Sequence, residues 1–302
     1  MDRQQEMQVL LAVQSDLSLA AAARRLAVSA PTVSRAIGAL ERRLGVALLK
    51  RSTRGVSLTA AGERFAVDCR RILGEVHEAE AAASGLHLEA RGLLTLATPL
   101  LFGQQLLMPI ILDYLEAYPQ VQIIGDFSDR RPNLHEEGLD VAVLVGDLPD
   151  SSLFARNVGS IHPIVCASPG YLAQHGQPLD PQALSSHHII HSSADSRVPE
   201  WCFQQQGQSV SVTLRPRLSC TTHQAAIAAC CRGAGLTRCM SYQVHRQLQS
   251  GQLQAVLGDY QTAAIPVHLV YREGRKAAAK VRSFVDFSVA RLRAEPSLNP
   301  EL

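Results

Sequence analysis

Thr32, Ser34 and Arg35 stand close together in "VSAPTVSRAIGALERRL", and they are side chains that can address nucleic acid. Hydroxyls bond base edges or phosphate oxygens, and an arginine can grip guanine through two hydrogen bonds. Val33, Ile37, Leu40 and Leu44 recur at i, i+4, i+7 and i+11, which predicts a helix with one buried stripe. With that stripe inward, the start of the helix presents Ala30, Pro31, Thr32, Ser34 and Arg35 outward, and Ser29 is placed to cap it. Further on, "KRSTRG" offers Lys50, Arg51 and Arg54 to phosphates or to a narrow minor groove. No aromatic residue precedes Phe65, which argues against stacking on single-stranded bases. The plainer alternative is a solvated amphipathic helix followed by a charged turn.

The surrounding elements would have to hold that surface. Met7, Leu10 and Leu11 suit the apolar side of a first helix, and Ser18 offers an N-cap for "LAAAARRL". Gly45 is a stop for the helix that follows. "VALLKRSTRGVSLT" reads as two short strands around a basic tip. Thr59 then caps a long helix from about Ala60 to Leu88, with Phe65, Cys69, Ile72, Val76, Ala79 and Ala83 as a seam at three- and four-residue spacing. A monomeric linker packed on its own body is the alternative to pairing along that seam. Charge follows the same division: residues 1–71 hold 12 Lys or Arg against six Asp or Glu, and the rest of the chain is net acidic. A basic first quarter suits a polyanion-binding module.

Composition narrows the class. The chain has 302 residues, 46% hydrophobic and 19% charged, enough for two or three domains. Its most apolar stretch, Leu93 to Leu112, is broken by Pro99, Gly103, Gln104, Gln105 and Pro109, so no membrane span is expected. "MDRQQEMQ" lacks an apolar signal core, and a cytoplasmic location is expected. Seven cysteines form no CxxC pair and read as reduced thiols. The rival is a thiol-based redox sensor using Cys202, Cys220, Cys230, Cys231 or Cys239. His187, His188 and His191 form HHxxH, which reads as strand and loop histidines rather than a metal site. With no GxSxG or GxxxxGK motif, no catalytic residue, metal ligand or cofactor is assigned, and an enzyme is not expected. A transport-type solute-binding protein would fit the body but not the basic head.

After Arg91 strands and helices alternate. Strands are expected at Leu93–Thr98, Val121–Phe127, Val141–Gly146, Pro163–Ala167, His188–His191, Ser209–Leu214, Leu236–Met240 and Val267–Tyr271. Helices are expected at Phe102–Tyr118, near Leu134–Gly138, and at Gln224–Arg232, Tyr242–Gln249 and Ala277–Arg293. Such alternation predicts an α/β body with mainly parallel sheets.

"SLAAAARRLAVSAPTVSRAIGALERRLGVALLKRSTRGVSLTAAGE" resembles the DNA-binding head of the LysR-type transcriptional regulators. "GLLTLATPLLFGQQLLMPIILDYLEAYPQVQI", "HEEGLDVAVLVGDLPDSSL", "CASPGYLAQHG" and "VHLVYREGRKAAAKVRSFVDF" resemble the family's effector domain, so the likeness runs nearly end to end. It implies an N-terminal all-α winged helix-turn-helix at 1–58, a linker helix at 59–88 that pairs with a second subunit, and a C-terminal α/β periplasmic-binding-protein-like effector domain at 91–302. That domain would have two subdomains, I at about 91–162 and 267–302 and II at about 163–266. The implied partners are double-stranded operator DNA, a small-molecule effector and further copies of the chain as a homodimer or homotetramer.

For the body, ligands of open α/β sheets bind beyond the carboxyl ends of strands and at helix N-termini. Thr98, Pro99, Leu100 and Phe102 lie where the first strand of the body hands over to a helix, a place that favours a carboxylate or another polar effector. The resemblance adds Ser128, Val145, Gly146, Ser192, Ser193, Thr221 and Thr222 to this cleft. For each of these, a plain loop or cap role is the alternative. Two departures stand out: many members have Gln where this chain has Ala30, and often Asn-Asp at Thr221–Thr222. A third is Arg238 in "GAGLTRCM", a strand usually apolar in the family, where a buried guanidinium needs an acidic partner or an anionic ligand.

Overall fold

The computed structural model describes residues 2–52, 55–83, 90–134, 136–148, 153–194, 199–272 and 278–299. They form two compact units, Met1–Leu93 and Leu94–Leu302.

The first unit contains α1 (Arg3–Asp16), α2 (Leu19–Arg25), α3 (Ala30–Leu44), an antiparallel pair β1 (Leu49–Ser52) and β2 (Gly55–Leu58), and α4 (Ala60–Ala83). Local chemistry sets these ends. Asp2 and Gln5 form a capping box on α1. The Ser18 and Ser29 hydroxyls accept the amides of Ala21 and Thr32, and Gly45 takes φ 69°, a left-handed turn that closes α3. Thr59 both accepts the Gly62 amide and donates to the Ala47 carbonyl, tying α4 to the chain before β1. Gly62 lies so near the Leu48 carbonyl that a Cβ there would sit 2.1 Å from its oxygen. The core gathers Val9, Leu10 and Val13 of α1, Ala22 and Ala23 of α2, Val33, Ile37 and Leu40 of α3, and Ala66 and Cys69 of α4. Leu44 departs from the expected stripe: it is the last residue of α3 and 37% exposed, because the helix has by then run past the core. The seam of α4 is divided too. Cys69 is buried, Phe65, Ile72 and Val76 are half-buried, and the side chains of Ala79 and Ala83 lie outside the described residues.

The second unit is built on two five-stranded sheets. Its chain runs through β3 (Gly92–Thr98), α5 (Leu100–Phe102), a π-helical turn (Gly103–Leu107), α6 (Met108–Ala117), β4 (Val121–Phe127), β5 (Val141–Val145), β6 (Phe154–Ile161) and β7 (Pro163–Ala167). It continues through α7 (Pro169–His175), a 3₁₀ turn (Pro181–Ser186), β8 (Ile189–Ser192), β9 (Glu200–Gln205), β10 (Gln208–Thr213) and β11 (Pro216–Cys220). The remaining elements are α8 (His223–Cys231), β12 (Leu236–Met240), α9 (Ser241–Gln249), β13 (Gln254–Val256), β14 (Ile265–Tyr271) and α10 (Ala279–Arg293). One sheet has the order β4-β3-β5-β14-β6 and the other β11-β8-β12-β7-β13, with β9 and β10 as a separate hairpin.

Both sheets are mixed, not mainly parallel as the alternation suggested. β3 and β5 run parallel, but β14 lies antiparallel to both β5 and β6. In the second sheet β8 pairs in parallel with β11 and β12, while β7 is antiparallel to β12 and β13. The physical reason is the connection: the chain crosses directly from β6 to β7 and back from β13 to β14, and such crossings enter each sheet against its parallel strands. The helix expected near Leu134–Gly138 is a series of turns at its described residues. Tyr114 fixes α6 to α10, its ring edge-on to Phe284 and its hydroxyl on Ser283 Oγ and the Lys280 carbonyl. Burial pushes that phenol up to about 12.

Candidate DNA-reading surface and effector site

The apolar side of α3 is fully buried at Val33, Ile37 and Leu40. Its other side leaves Ala30, Pro31 and Arg35 exposed and Thr32 and Ser34 half-buried, the arrangement the spacing predicted. The Ser29 and Thr32 hydroxyls bond to each other at 2.7 Å, and Arg35 Nε leans back on the Pro31 carbonyl at 3.4 Å. Two carboxylates hold the elements beneath. Glu6 on α1 bonds Arg43 of α3 at 2.6 Å, and Glu41 Oε1 accepts the Leu48 and Leu49 amides that open β1. Sequence reading passed over Glu41, whose role shows only once the wing folds back on α3. Lys50 on β1 is exposed; Arg54 and the side chain of Arg51 lie outside the described residues.

In the body, the predicted effector residues fall into two groups. At the end of β3, Thr98 is buried, and its carbonyl accepts the Ser128 amide that follows β4. The amide of Leu100 is taken by Asp129 Oδ1 at 3.0 Å. Asp129, which the sequence reading missed, thus holds the amide at which a carboxylate or another polar effector was expected. Gly146 (φ 94°) donates to the Pro266 carbonyl, and Val145 pairs with Val267. Phe102 is fully buried with its ring edge-on to Tyr242 at 5.5 Å, a packing position. Arg130 clamps Asp126 and Glu137 and so pins the loop that carries Ser128 and Asp129.

The second group lies at the ends of β8 and β11. Ser192 is buried and accepts the Ala194 amide, while Ser193 bonds the Cys220 carbonyl through both its amide and its hydroxyl. Thr222 caps α8 through the Ala225 amide, and Thr221 is exposed. Arg238 joins neither group. It lies on β12, half-buried, and lines a cavity of about 10 Å³ with Cys202, Phe203 and Tyr260.

A larger cavity of about 430 Å³ opens between α5, α8 and α9, and none of the predicted effector residues lines it.

The thiols are mostly inward. Cys166, Cys230 and Cys239 are buried, Cys220 and Cys231 half-buried and Cys202 exposed. A hydrogen bond with Cys166, then burial, pushes the Cys230 thiol far up, and burial followed by the neighbouring Cys230 raises Cys231. Such groups are poor thiolates and poor nucleophiles toward an oxidant. Of the HHxxH histidines, His187 meets the Tyr171 hydroxyl at 3.2 Å, His188 meets Arg217 at 3.0 Å, and His191 is buried on β8. Among the described residues no three His, Cys, Asp or Glu side chains are grouped to hold a metal, and no helix is long and apolar enough to cross a membrane.

Residues 4–63 match the family model for the bacterial regulatory helix-turn-helix protein, lysR family, and residues 87–293 match that for the LysR substrate binding domain. The chain belongs to the LysR family of transcriptional regulators. It is 33% identical to an HTH-type transcriptional regulator of Xanthomonas campestris pv. campestris (strain 8004), over 91% of this chain and 81% of that one. It is 31% identical to the HTH-type transcriptional activator AaeR of Escherichia coli (strain K12), over 95% and 93%. Among solved structures it resembles CrgA, a LysR-type transcriptional regulator from Neisseria meningitidis, with a TM-score of 0.62 at 29% identity over 97% of this chain and 99% of that one. As a LysR-type regulator, the chain combines a helix-turn-helix head that binds DNA with a domain that binds a small-molecule effector.

Proposed function

We propose that α3 enters the major groove of operator DNA with Thr32, Ser34 and Arg35 toward the base edges. Ser29, Ala30 and Pro31 come close to the backbone at the helix start, and Lys50, Arg51 and Arg54 of the wing reach phosphates or the minor groove. The observation that carries this reading is the capped, partly exposed start of α3 above a fully buried stripe. Ala30 puts no amide where an adenine could be read, so discrimination passes to Thr32, Ser34 and Arg35.

Residues 1–58 act as the head, 59–88 as a linker that pairs with a second subunit, and 91–302 as the effector domain. Its subdomains are I at about 91–162 and 267–302 and II at about 163–266. Exposed Leu112 of α6, Ile124 on edge strand β4 and Leu218 on edge strand β11 support assembly into a homodimer or homotetramer. The protein works in the cytoplasm and is not an enzyme. The effector binds where Thr98, Pro99, Leu100 and Ser128 face Ser192, Ser193, Thr221 and Thr222. An anionic effector that reaches the Leu100 amide displaces Asp129. Binding shifts one subdomain against the other and so changes the spacing of the heads.

Footprinting the purified protein on its own upstream DNA, with and without a metabolite panel, tests the reading. A protected, sequence-preferring site that weakens as salt rises is expected. Protection indifferent to sequence would overturn it.

A further inference from the structure

The cavity between α5, α8 and α9 has an unusual wall. Six glutamines line it: Gln104, Gln105, Gln224, Gln243, Gln247 and Gln252. Arg232 adds a guanidinium, while Leu101, Ile227 and Ala228 supply apolar surface. Among the described residues there is no carboxylate and no aromatic ring in this wall. Its volume, about 430 Å³, falls within the range of small-molecule sites.

An irregular stretch of backbone carries two of these amides, Gln104 and Gln105. Gly103–Leu107 forms a π-helical turn in which the Met108 amide reaches back to the Gly103 carbonyl, and Pro109 next to it has no N–H to continue ordinary helical bonding. Gly103 allows the turn to sit against Phe127, where a Cβ would come within 2.2 Å of the ring. Gln104 and Gln105 fall in this turn. Gln105 Nε2 reaches the Gln243 carbonyl at 3.4 Å. Gln243 is itself fixed, accepting the Met240 amide and donating to the Tyr242 hydroxyl.

Each carboxamide both donates and accepts, as each hydroxyl of a polyol does. A wall of amides therefore matches a ligand rich in hydroxyls, and a lone guanidinium matches one carboxylate. Without acidic residues the wall gives no counter-charge to an ammonium group, which Arg232 would repel, and without aromatic rings it gives no stacking surface to a flat ring. We propose that this glutamine-lined cavity is a second small-molecule site of the effector domain, separate from the strand-end cleft, and that it takes small polyhydroxylated carboxylates of the sugar-acid class.

Calorimetry on the full-length protein tests this with gluconate, galactonate and glucuronate as probes, glucose as the uncharged control and hexanoate as the anion without hydroxyls. At least one sugar acid is expected to bind, with glucose and hexanoate each weaker by about tenfold or more. Arg232→Gln is expected to erase the preference for the acid over glucose, and Gln224→Leu to weaken both. Both substitutions are at exposed positions, and unchanged thermal midpoints would show that the variants remain folded. No binding by any of the three acids at millimolar concentration would overturn the proposal. So would binding that Ser128→Ala abolishes while Gln224→Leu and Arg232→Gln leave it intact, since the ligand would then lie in the cleft.

Discussion

In the head, the bonds at the start of α3 stay within one helical turn, Ser29 to Thr32 and Arg35 Nε to the Pro31 carbonyl, and Arg35 itself remains at the surface above the buried Val33, Ile37 and Leu40. At the strand ends of the body, comparable groups are folded back on the chain: Ser193 on the Cys220 carbonyl, Thr222 on the Ala225 amide, and the Leu100 amide on Asp129. The first arrangement is preformed, so binding costs little reordering. The second is satisfied without a ligand, so an effector has to replace bonds the protein already makes. Replacement is what gives a ligand different free energies in two conformations, which a sensor requires and a reading surface does not.

The sharpest way to break the comparison is to remove the core under the reading surface. Ile37 is fully buried, and Ile37→Ala is expected to cost about 2–5 kcal/mol of stability. Operator binding in a gel-shift assay should be lost, while effector binding measured by calorimetry on the same protein stays intact. Equal loss of both would mean that the two units do not keep separate cores. Next in size, Arg35→Ala is expected to cost about 1–3 kcal/mol at one base position and to relax sequence preference there. Lys50→Ala, by contrast, should weaken all sequences alike and lower the salt dependence. A uniform loss for Arg35→Ala, measured on operators changed base by base, would reassign it to the phosphates.

The same contrast explains what could be read from the residues. α1 to α4 were legible because caps and apolar spacing are local: Ser18, Ser29, Gly45 and Thr59 mark ends within a few residues of the atoms they satisfy. β6 and β11 were not, since their exposed and buried residues follow no clean alternation, as in the pattern of Phe154–Ile161. Asp129 could be seen as an acid beside Ser128, but its bond to Leu100 spans 29 positions and no local pattern encodes it. The glutamine wall escaped notice for a similar reason. Its members come from the π-helical turn, α8, α9 and the bend after α9, and amides carry no periodic signal of their own. Arg238 stood out in sequence because it broke an apolar strand, yet its strand faces it toward Cys202 and Phe203 rather than toward the strand-end hydroxyls.

A smaller change probes the self-satisfied cleft directly. Asp129→Asn keeps an oxygen for the Leu100 amide but removes the charge beside the helix start. Anionic probes should then bind the cleft more tightly, by about 0.3–1 kcal/mol. Calorimetry showing no gain for anions would mean that the effector does not approach this amide.

The smallest expected effect concerns the clamp behind that loop. Hydrogen bonds from Arg130, then from the Asn133 amide, hold the Glu137 carboxyl down at about 2. A carboxyl whose folded value lies below its unfolded one stabilises the fold above the ordinary carboxylate range, and that contribution drains away as pH falls toward 2. Both partners are substantially exposed, so solvent and salt screen the pair and its share of stability is modest. Glu137→Gln should therefore lower the thermal midpoint slightly near neutral pH. The gap to the unmodified protein should narrow steadily as the pH is lowered from about 5, through the reference carboxylate value near 4.3. The gap should also shrink in high salt at neutral pH. Parallel midpoint curves for the two proteins across that pH range would show that the clamp positions the Ser128 loop without stabilising it.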